Sequence, residues 1–494
     1  MRSTRKAVAV ATGVLAVGAL VAAPAAPGHA SGEPARVTWG TCPELPTGTR
    51  GSARAGDLEC GTLDVPVDYR APDRGTMSIA VSRLRSGDPA RRRGVLLVNP
   101  GGPGVAGLDL PVAIAERNPP RGLLDSYDLI GFDPRGVGHS GGVTCALSSE
   151  QQTIAFGTYA HGPDDVAEQA GRVQDIAEQC VAHGGPNLPH LTTRNTARDI
   201  DRIRQALGER RISYFGTSYG TYLGAVYLAL FPDRADRFLL DSAADPDMVW
   251  REQFRTWGRG AEVRFPDFAR WAAARHDVHH LGRTPEAVRE KYFELAGALD
   301  AAPVAGVTGD VFRQLTRLKL YRDEDFPSLA AIWQSLSSGD AAGVRSAQPP
   351  DDGFLAAHLA VTCGDVAWPR SQEHYQRAVR TDRQRYPLVG ALTANITPCA
   401  RWPLAPLEEP TRIGGTGRAF VLILQNLRDP ATVYAGGVAL RGRLGERAAL
   451  VTVDAGEHGV YLSGNTCANR LATEHLVAAS PPTRDRFCPA ESHP

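Results

Sequence analysis

The sequence predicts an α/β protein with a mostly parallel sheet, interrupted late in the chain by a helical insertion. From about residue 75 to residue 240, short apolar runs alternate with helical hydrophobic patterns, which is typical of successive strand–helix–strand units. The pattern changes between residues 245 and 404, where aromatic residues and alanines recur at helical spacing and strand-like runs are few. Strand-like runs return after residue 404, so the sheet is expected to continue there.

Six apolar runs bounded by turn-forming residues predict buried strands. They are residues 95–98, 127–132, 211–215, 238–240, 419–424 and 449–453. Hydrophobic residues recur every three or four positions in segments that predict helices over 196–207, 223–230 and 467–479. Thr196 and Asp199 have the spacing of a capping box at the start of the first helix. The stretch before residue 75 lacks such runs and is predicted to be rich in loops.

The overall composition is that of a globular protein. Hydrophobic residues make up 43% of the 494 and charged residues 22%, which disfavours a disordered, collagen-like or wholly membrane-embedded chain. Lys and Arg total 54, as do Asp and Glu, so no net field draws the chain to nucleic acid or to an anionic membrane. Function therefore has to be sought in individual sites.

The first 30 residues have the three parts of a secretory signal peptide. Cations at the N-terminus precede an apolar run over residues 7–23, and small residues ending at Ala30 follow. A membrane anchor is the competing interpretation, although a span needs about 20 apolar residues. A lipidated cysteine at the end of the leader is excluded, because the first cysteine is Cys42. We expect an exported protein, cleaved near Ala30.

Eight cysteines in an exported chain predict disulfides. The absence of any C-x-x-C pair disfavours a zinc site. Eight cysteines allow on the order of 100 pairings, so the sequence alone does not fix the connectivity. We expect sequential pairing, which closes short loops and would stabilise the fold by about 3–4 kcal/mol for each bond. The expected bonds are Cys42–Cys60, Cys145–Cys180, Cys363–Cys399 and Cys467–Cys488.

Residues 216–220 (GTSYG) match the G-x-S-x-G pattern of a nucleophile elbow. In such an elbow, a serine sits on a sharp turn between a strand and a helix, and glycines keep neighbouring side chains away from it. In a chain with 52 glycines the pattern alone is weak evidence, and a glycine-rich loop with an idle serine is the alternative. Here the pattern follows a predicted strand and opens a predicted helix. Ser218 is therefore the candidate nucleophile.

A serine hydroxyl needs a base, and the base needs an acid that orients it. In proteins with this elbow the acid and then the base follow the serine along the chain. Asp429 follows the predicted strand 419–424, and His458 follows the strand 449–453. Alone, each could be an ordinary loop residue; together with Ser218 they satisfy the expected order and context. Asp454 is the second-ranked acid, because it lies at the end of the last strand.

The developing oxyanion needs preorganised N–H donors. An elbow supplies the N–H of the residue after the nucleophile, here Tyr219. The second donor is expected in the glycine-rich loop over residues 99–104, where Gly102 is the first choice and Gly101 the second. A phosphate-binding loop is disfavoured because neither of the common phosphate-binding glycine patterns occurs there. We expect no metal and no organic cofactor.

Several motifs resemble those of the proline iminopeptidase-like α/β-hydrolases, in particular their secreted bacterial tripeptidyl aminopeptidases. Residues 99–104 (NPGGPG) are similar to the HGGPG loop of that family, with Pro100 in place of the histidine, which weakens the prediction of the second donor. Residues 132–140 (FDPRGVGHS), 216–224 (GTSYGTYLG) and 397–403 (TPCARWP) also resemble the family. The resemblance covers nearly all of the chain after the leader.

The resemblance implies an α/β-hydrolase fold with a mostly parallel central sheet and an inserted helical cap domain. The expected organisation is a signal peptide (1–30), a first part of the core (31–244), the cap (245–404) and a C-terminal part of the core (405–494). It also implies a secreted serine exopeptidase that releases short peptides, often tripeptides, from free N-termini. The family's nucleophile, acid and base coincide with the three residues chosen above.

An exopeptidase must hold the α-ammonium group of its substrate, and a carboxylate in the cap is the simplest physical solution. Asp365 and Glu252 are the candidates, although solvated surface acids are the commoner case. Two alternatives to a peptidase stay open. The same machinery cleaves esters, so the chain could be a secreted esterase, or it could be an inactive binding protein on the same fold.

Overall fold

The central feature of the computed structural model is a mixed ten-stranded sheet, counted within the residues that the structure describes. These residues are 36–44, 54–120, 122–304, 306–340, 350–414, 417–478 and 483–491. The expected signal peptide lies outside them. The strands are β1 (Gly40–Thr41), β2 (Leu58–Pro66), β3 (Thr76–Leu84), β4 (Gly94–Asn99), β5 (Tyr127–Phe132), β6 (Ile212–Thr217), β7 (Ala235–Asp241), β8 (Phe420–Asn426), β9 (Ala448–Val453) and β10 (Arg486–Cys488). Their order is β1-β2-β3-β5-β4-β6-β7-β8-β9-β10.

All neighbouring strands from β5 through β10 pair in parallel, and helices cross between them. The helices outside the insertion are α1 (Leu110–Glu116), α2 (Leu123–Ser126), α3 (Ser149–Phe156), α4 (Pro163–His183), α5 (Thr193–Ala206), α6 (Tyr219–Leu230), α15 (Tyr434–Leu444) and α16 (Thr466–Val477). The helices inserted between β7 and β8 are α7 (Arg251–Ala273), α8 (His276–His279), α9 (Pro285–Ala301), α10 (Gly309–Lys319), α11 (Phe326–Ser337), α12 (Asp352–Gly364), α13 (Gln372–Arg385) and α14 (Gly390–Thr393). The α/β class with a mostly parallel sheet and a helical insertion is thus as predicted.

The parallel strands are buried on both faces because helices cover both sides of the sheet. In β4, Val95 and Leu97 point to one hydrophobic cluster, whereas Leu96 and Val98 point to the cluster on the opposite face. This alternation follows from the two-residue period of a strand. It explains why these strands appear in the sequence as continuous apolar runs.

The expectation of a loop-rich stretch before residue 75 is wrong for β2. This strand pairs in antiparallel register with β3, from Leu58 opposite Leu84 to Pro66 opposite Thr76. Along β2, buried positions are interspersed with partly exposed ones, so the strand mixes polar and apolar residues. A partly solvated edge of an antiparallel sheet therefore lacks the continuous apolar run by which buried strands were sought.

The predicted cap of α5 is also wrong, by one turn. The helix begins at Thr193, and the side chain of Thr192 accepts a hydrogen bond from the Asn195 N–H (3.2 Å). Asp199 lies inside the helix, where its carboxylate is bound by the buried Arg135 guanidinium at 2.6 and 2.7 Å. Both Thr192 and Thr196 are threonines followed by a helical pattern, and in the structure Thr192 is the cap while Asp199 is paired with Arg135.

The inserted helices belong to two hydrophobic clusters. Helices α7, α9, α10 and α11 share a cluster of their own, which includes Phe265, Phe268, Tyr292 and Trp333. Side chains of α12, α13 and α14 instead join the larger cluster on one face of the sheet. The segment 245–404 is therefore anchored on the core through α12–α14 and also through Trp250 and Phe254 at its beginning.

Four disulfides connect the described residues, and the pairing is the sequential one expected from the sequence. Cys42 is bonded to Cys60, Cys145 to Cys180, Cys363 to Cys399 and Cys467 to Cys488. Each bond ties a loop or helix to a neighbouring element of the same region. Across the described ranges, no helix is both long and apolar enough to cross a membrane.

Candidate active site

Ser218 lies on a sharp turn between β6 and α6. Its backbone has a φ of +59°, a value that is uncommon for any residue other than glycine. The Ser218 N–H donates to the carbonyl oxygen of Asp241 (2.9 Å), which fixes the turn against the neighbouring strand β7. Gly220 is required next to it, because a β-carbon there would lie 2.8 Å from Oδ1 of Asn99. This is the geometry that the G-x-S-x-G pattern predicts.

Asp429 and His458 come together from the loops that follow β8 and β9. The His458 Nδ1 atom lies 3.0 and 3.1 Å from the two carboxylate oxygens of Asp429. The Asp429 Oδ1 atom also accepts from the N–H groups of Ala431 (2.8 Å) and Thr432 (2.9 Å), and Oδ2 accepts from the Thr432 hydroxyl (3.0 Å). Because an ionised carboxylate only accepts hydrogen bonds, the imidazole proton is held on Nδ1 and Nε2 is left as a base.

The charge state of His458 is set by two opposing effects. Burial alone would lower its pKa, but the charge of Asp429 and the hydrogen bond to it outweigh that effect, so the net pKa is raised above the ordinary 6.5. The more distant charge of Asp241 acts in the same direction as Asp429. The site therefore favours an imidazolium, which is the species that forms when the histidine takes up a proton.

Asp241 holds the loop that carries His458. Its carboxylate accepts hydrogen bonds from the N–H groups of Val460 (2.9 and 3.0 Å) and Tyr461 (2.8 Å). Burial raises the pKa of Asp241 to about 6, and these two hydrogen bonds act against that rise. The next residue, Ser242, accepts at its hydroxyl from the Gly459 N–H (2.8 Å). The end of β7 thus positions the residues that directly follow the histidine.

The second-ranked acid, Asp454, lies elsewhere. Its side chain is 38% exposed and pairs with Arg428 at 2.5 Å, whereas the Asp429 side chain is fully buried. Both acids follow a strand by a few residues in sequence. The structure places Asp429 against the imidazole because the turn after β8 directs this carboxylate inward.

Ser218 and His458 line the same cavity, which has a volume of about 260 Å³. Aromatic side chains form much of its wall, and they are Phe156, Trp250, Phe254, Trp257, Tyr321 and Phe354. Among the described residues that line it there is no carboxylate, and Arg317 is the one charged side chain other than histidine. Nowhere in the described part of the chain do three or more His, Cys, Asp or Glu side chains form a group that could hold a metal ion.

Two backbone N–H groups at this cavity have no acceptor within the described residues. Tyr219 is the first residue of α6, so its N–H has no partner within the helix. The Gly102 N–H is also unpaired in the described structure, and Gly102 lines the cavity together with Tyr219. The Gly101 N–H, by contrast, donates to Oδ1 of Asn99 (3.1 Å). This contrast favours Gly102 over Gly101 as a donor to an oxyanion.

The inserted helices contact both sides of the site. The backbone N–H of His458 donates to the carbonyl oxygen of Tyr321 (2.7 Å). The rings of the two residues also meet edge to face, with their centroids 5.1 Å apart. On the other side, Nδ1 of His358 lies 3.2 Å from the carbonyl oxygen of Pro103, next to Gly102. Burial lowers the pKa of His358 to about 4, so this histidine is neutral and donates from Nδ1.

These contact residues carry no signal in the sequence that links them to the site. The helical spacing of Trp250, Phe254 and Trp257 predicted an inserted helix but gave no reason to place their rings at the site. Tyr321 and His358 lie in segments with no recognisable motif. Their position depends on how the insertion folds back over the sheet.

The two acids proposed for the substrate ammonium do not line this cavity. The Asp365 carboxylate accepts from the Thr193 N–H (2.8 Å), the Thr193 hydroxyl (2.5 Å) and Nε1 of Trp250 (3.0 Å), and burial raises its pKa to about 6. The Asp365 carboxylate is thus already hydrogen-bonded to groups of the protein, among them the Trp250 indole. The Glu252 side chain is 49% exposed and forms ion pairs with Arg251 and Arg255 on its own helix. Neither acid is brought together with Ser218.

The motif over residues 132–140 supports the site from behind. The Asp133 carboxylate accepts from the N–H groups of Gly107 (2.8 Å), Leu108 (3.2 Å) and His139 (2.9 Å). It therefore ties the segment that follows the glycine-rich loop 99–104 to the turn that follows β5. Arg135 makes the buried ion pair with Asp199 that fastens this turn to α5.

A family model described as the α/β hydrolase fold matches residues 94–464. The chain belongs to the α/β-hydrolase family. The tripeptidyl aminopeptidase of Streptomyces coelicolor is 34% identical to this α/β-hydrolase over 457 residues, which cover 88% of the chain and 84% of the relative. The carboxylesterase B of Mycobacterium tuberculosis is 30% identical over 482 residues, covering 92% and 90%.

The serine protease Hip1 of M. tuberculosis is 29% identical over 462 residues, covering 88% of each chain. Among solved structures, the proline iminopeptidase of Mycobacterium smegmatis aligns with a TM-score of 0.39 at 17% identity, over 85% of this chain and all of that one. The chain is a serine hydrolase of the α/β-hydrolase fold, and the similarity to the tripeptidyl aminopeptidase expected from the motifs is confirmed.

Proposed function

We propose that the chain is an exported serine exopeptidase that releases tripeptides from free N-termini through an acyl-enzyme on Ser218. The observation that carries this proposal is the buried Asp429–His458 hydrogen bond, beside a cavity that His458 shares with the elbow serine. The choice of a peptidase is supported by the tripeptidyl aminopeptidase and serine protease relatives.

In the acylation step, the Ser218 oxygen attacks the carbonyl carbon of the scissile amide while His458 Nε2 takes up the hydroxyl proton. The carbonyl electron pair moves onto oxygen, where the Tyr219 and Gly102 N–H groups stabilise the negative charge. Each such donor contributes about 2.7–4 kcal/mol in comparable enzymes. The carbon–nitrogen bond then breaks, and the amine leaves with the proton from Nε2.

Deacylation repeats this sequence with water as the nucleophile. The water gives a proton to His458 Nε2 and bonds to the acyl carbon, and the Ser218 oxygen leaves with that proton. In both steps Asp429 holds the imidazole in one orientation and stabilises the imidazolium. The product acid then leaves the cavity, and the free serine is restored.

Recognition of the substrate N-terminus has no assigned residue. The described lining of the cavity contains no carboxylate, and Asp365 and Glu252 are engaged elsewhere. The proposed preference for free N-termini is supported by the tripeptidyl aminopeptidase relative alone.

The decisive experiment is mass spectrometry of the products formed from one mixed peptide pool, in free and N-acetylated form. Tripeptides released only from the free pool are the expected result, with no release by the Ser218→Ala variant. Cleavage at internal positions, or equal cleavage of acetylated peptides, would contradict an exopeptidase.

An esterase is the second candidate, because the cavity wall is aromatic and lacks an acid for an ammonium group. The carboxylesterase B relative also supports it. Comparison of kcat/KM for p-nitrophenyl acyl esters and tripeptidyl p-nitroanilides separates the two. Turnover of esters without detectable turnover of any peptidyl anilide would favour the esterase. Failure of a fluorophosphonate probe to label the purified protein would instead favour an inactive binding protein.

Export is proposed from the signal-peptide pattern of residues 1–30 and is supported by the four disulfides, which form in oxidising compartments. N-terminal sequencing of the protein recovered from culture medium tests it. A mature N-terminus near residue 31 is expected. Retention of the intact leader on cells would contradict cleavage.

A further inference from the structure

Arg317 lines the cavity that contains Ser218, although nothing in the proposed mechanism uses it. The residue belongs to α10 of the insertion and is only 1% exposed. Its guanidinium lies 4.4 Å from the ring of Trp257 and 5.2 Å from that of Phe156, and Nη1 donates to the Tyr321 hydroxyl (3.0 Å). The Nε atom is buried and has no hydrogen-bond partner.

No carboxylate within the described residues forms an ion pair with Arg317. Three other buried arginines do have one: Arg135 pairs with Asp199 at 2.6 Å, Arg264 with Asp267 at 2.6 Å, and Arg313 with Asp300 at 2.7 Å. A fourth, Arg237, donates instead to two backbone carbonyl oxygens, whereas Nε of Arg317 has no acceptor in the described part of the chain. Burying a cation without an anion is unfavourable, because the lost hydration is not replaced. Aromatic faces compensate only part of this cost. The missing partner is therefore expected to arrive with a ligand.

We infer that Arg317 binds a carboxylate of the substrate, so that the enzyme prefers substrates that carry one within the released tripeptide or on the residue after it. A guanidinium presents paired N–H donors that match the two oxygens of a carboxylate. The aromatic wall around it would contact the apolar part of the same substrate. The inference rests on the proposed role of Ser218, because that role makes this cavity the substrate site.

Matched substrate pairs test this in the full-length mature protein. One pair consists of tripeptidyl p-nitroanilides that differ only by Glu or Gln, with the change placed in turn at each of the three positions. The other pair is a tetrapeptide with a free C-terminal acid and the same tetrapeptide as its amide. For at least one pair we expect a kcat/KM at least 10-fold higher for the acid, which corresponds to about 1.4 kcal/mol.

The variants Arg317→Met and Arg317→Lys show whether the preference depends on this side chain. We expect the ratio of kcat/KM for the acid to kcat/KM for the amide to fall to about 1 in Arg317→Met. In Arg317→Lys the ratio should lie between that value and the wild-type ratio. Arg313→Met is the matched control, because it removes another buried arginine of the same helix that does not line the cavity. Its ratio should equal that of the wild type even if the protein is less stable.

Binding of the same pairs to the Ser218→Ala protein, measured by calorimetry, separates this inference from the proposed function. If the Ser218→Ala protein binds the acids preferentially but the wild type does not cleave them, the proposed peptidase function is wrong, whereas the inference that Arg317 binds a carboxylate is supported. Equal kcat/KM and equal affinity for every pair would overturn the inference. A requirement of chloride for turnover of the neutral substrates would also overturn it, because the partner of Arg317 would then be a free anion and not a carboxylate of the substrate.

Discussion

Replacement of Asp429 by Asn tests the proposed triad most sharply, because it changes one oxygen to an amide nitrogen with almost no change in shape. In the wild type, one oxygen of Asp429 accepts from the N–H groups of Ala431 and Thr432, and the other accepts from the Thr432 hydroxyl. The amide oxygen of the variant must take the position facing the two backbone donors. Its NH₂ group then takes the Oδ2 position, 3.1 Å from Nδ1 of His458, while the amide oxygen stays 3.0 Å from the same atom.

An NH₂ group in that position donates toward Nδ1, in competition with the amide oxygen as an acceptor, and so favours the tautomer that carries the imidazole proton on Nε2. The base that should take the Ser218 proton is then blocked. The Asp429 side chain is fully buried, so water cannot take over its role. Loss of the correct tautomer in comparable triads lowers kcat by about 10⁴-fold, which corresponds to about 5.4 kcal/mol at 1.36 kcal/mol per factor of ten. We expect a loss of about 10³- to 10⁴-fold here.

Steady-state kinetics on a chromogenic substrate measures this effect, with Asp454→Asn as the matched control. Asp454 is the other acid near the end of a strand, and it is partly exposed and paired with Arg428. An exposed ion pair contributes about 0–1 kcal/mol to stability, so this variant should keep kcat within about twofold of the wild type. A thermal melt and a circular dichroism spectrum establish that both variants are folded. A kcat above one tenth of the wild-type value in Asp429→Asn would refute the triad assignment, and a large loss in Asp454→Asn would identify the other acid.

Three further predictions follow from the same geometry. Ser218→Ala should lower kcat by about 10⁶-fold with a nearly unchanged melting temperature; residual peptidase activity that survives further purification would contradict the assignment of the nucleophile. The kcat/KM should rise with pH through an apparent pKa above 6.5, because His458 must be neutral to act as a base and Asp429 stabilises its protonated form; a midpoint at or below 6.5 in the pH profile would count against this account. Asp199→Ala should lower the free energy of unfolding by about 3–5 kcal/mol, because it leaves the buried Arg135 unpaired; urea denaturation measures this, and a change below 1 kcal/mol would show that the pair is not a major support.

Local signals predicted the framework of the candidate site. The elbow is contained in five consecutive residues, and its strand and helix lie on either side, so the sharp turn at Ser218 follows from neighbouring sequence alone. Asp429 and His458 could be selected because each follows an apolar run that forms a parallel strand, and such strands end at one edge of the sheet. Their catalytic roles stay predictions until they are tested.

Antiparallel pairing and helix ends were less accessible from the sequence. Strand β2 was missed because its partly solvated edge gives no continuous apolar run. The cap of α5 was misplaced because Asp199 has the spacing of a capping residue but is held by Arg135. In both cases a partner distant in the sequence determines what the local pattern means.

The sequence by itself determined the fold class and the order of the three candidate residues, because each of these depends on short stretches of chain. The pairing of successive cysteines was one of many that the sequence allows, and the structure decided it. Only the tertiary structure decided which acid faces His458, that Asp365 and Glu252 lie away from the cavity, and that Arg317 lines it with no counterion among the described residues. The physical reason is that the insertion contributes side chains to the site from Trp250 to His358, far beyond the serine in sequence. Their direction is fixed by packing against the core, and no local pattern of residues encodes that packing.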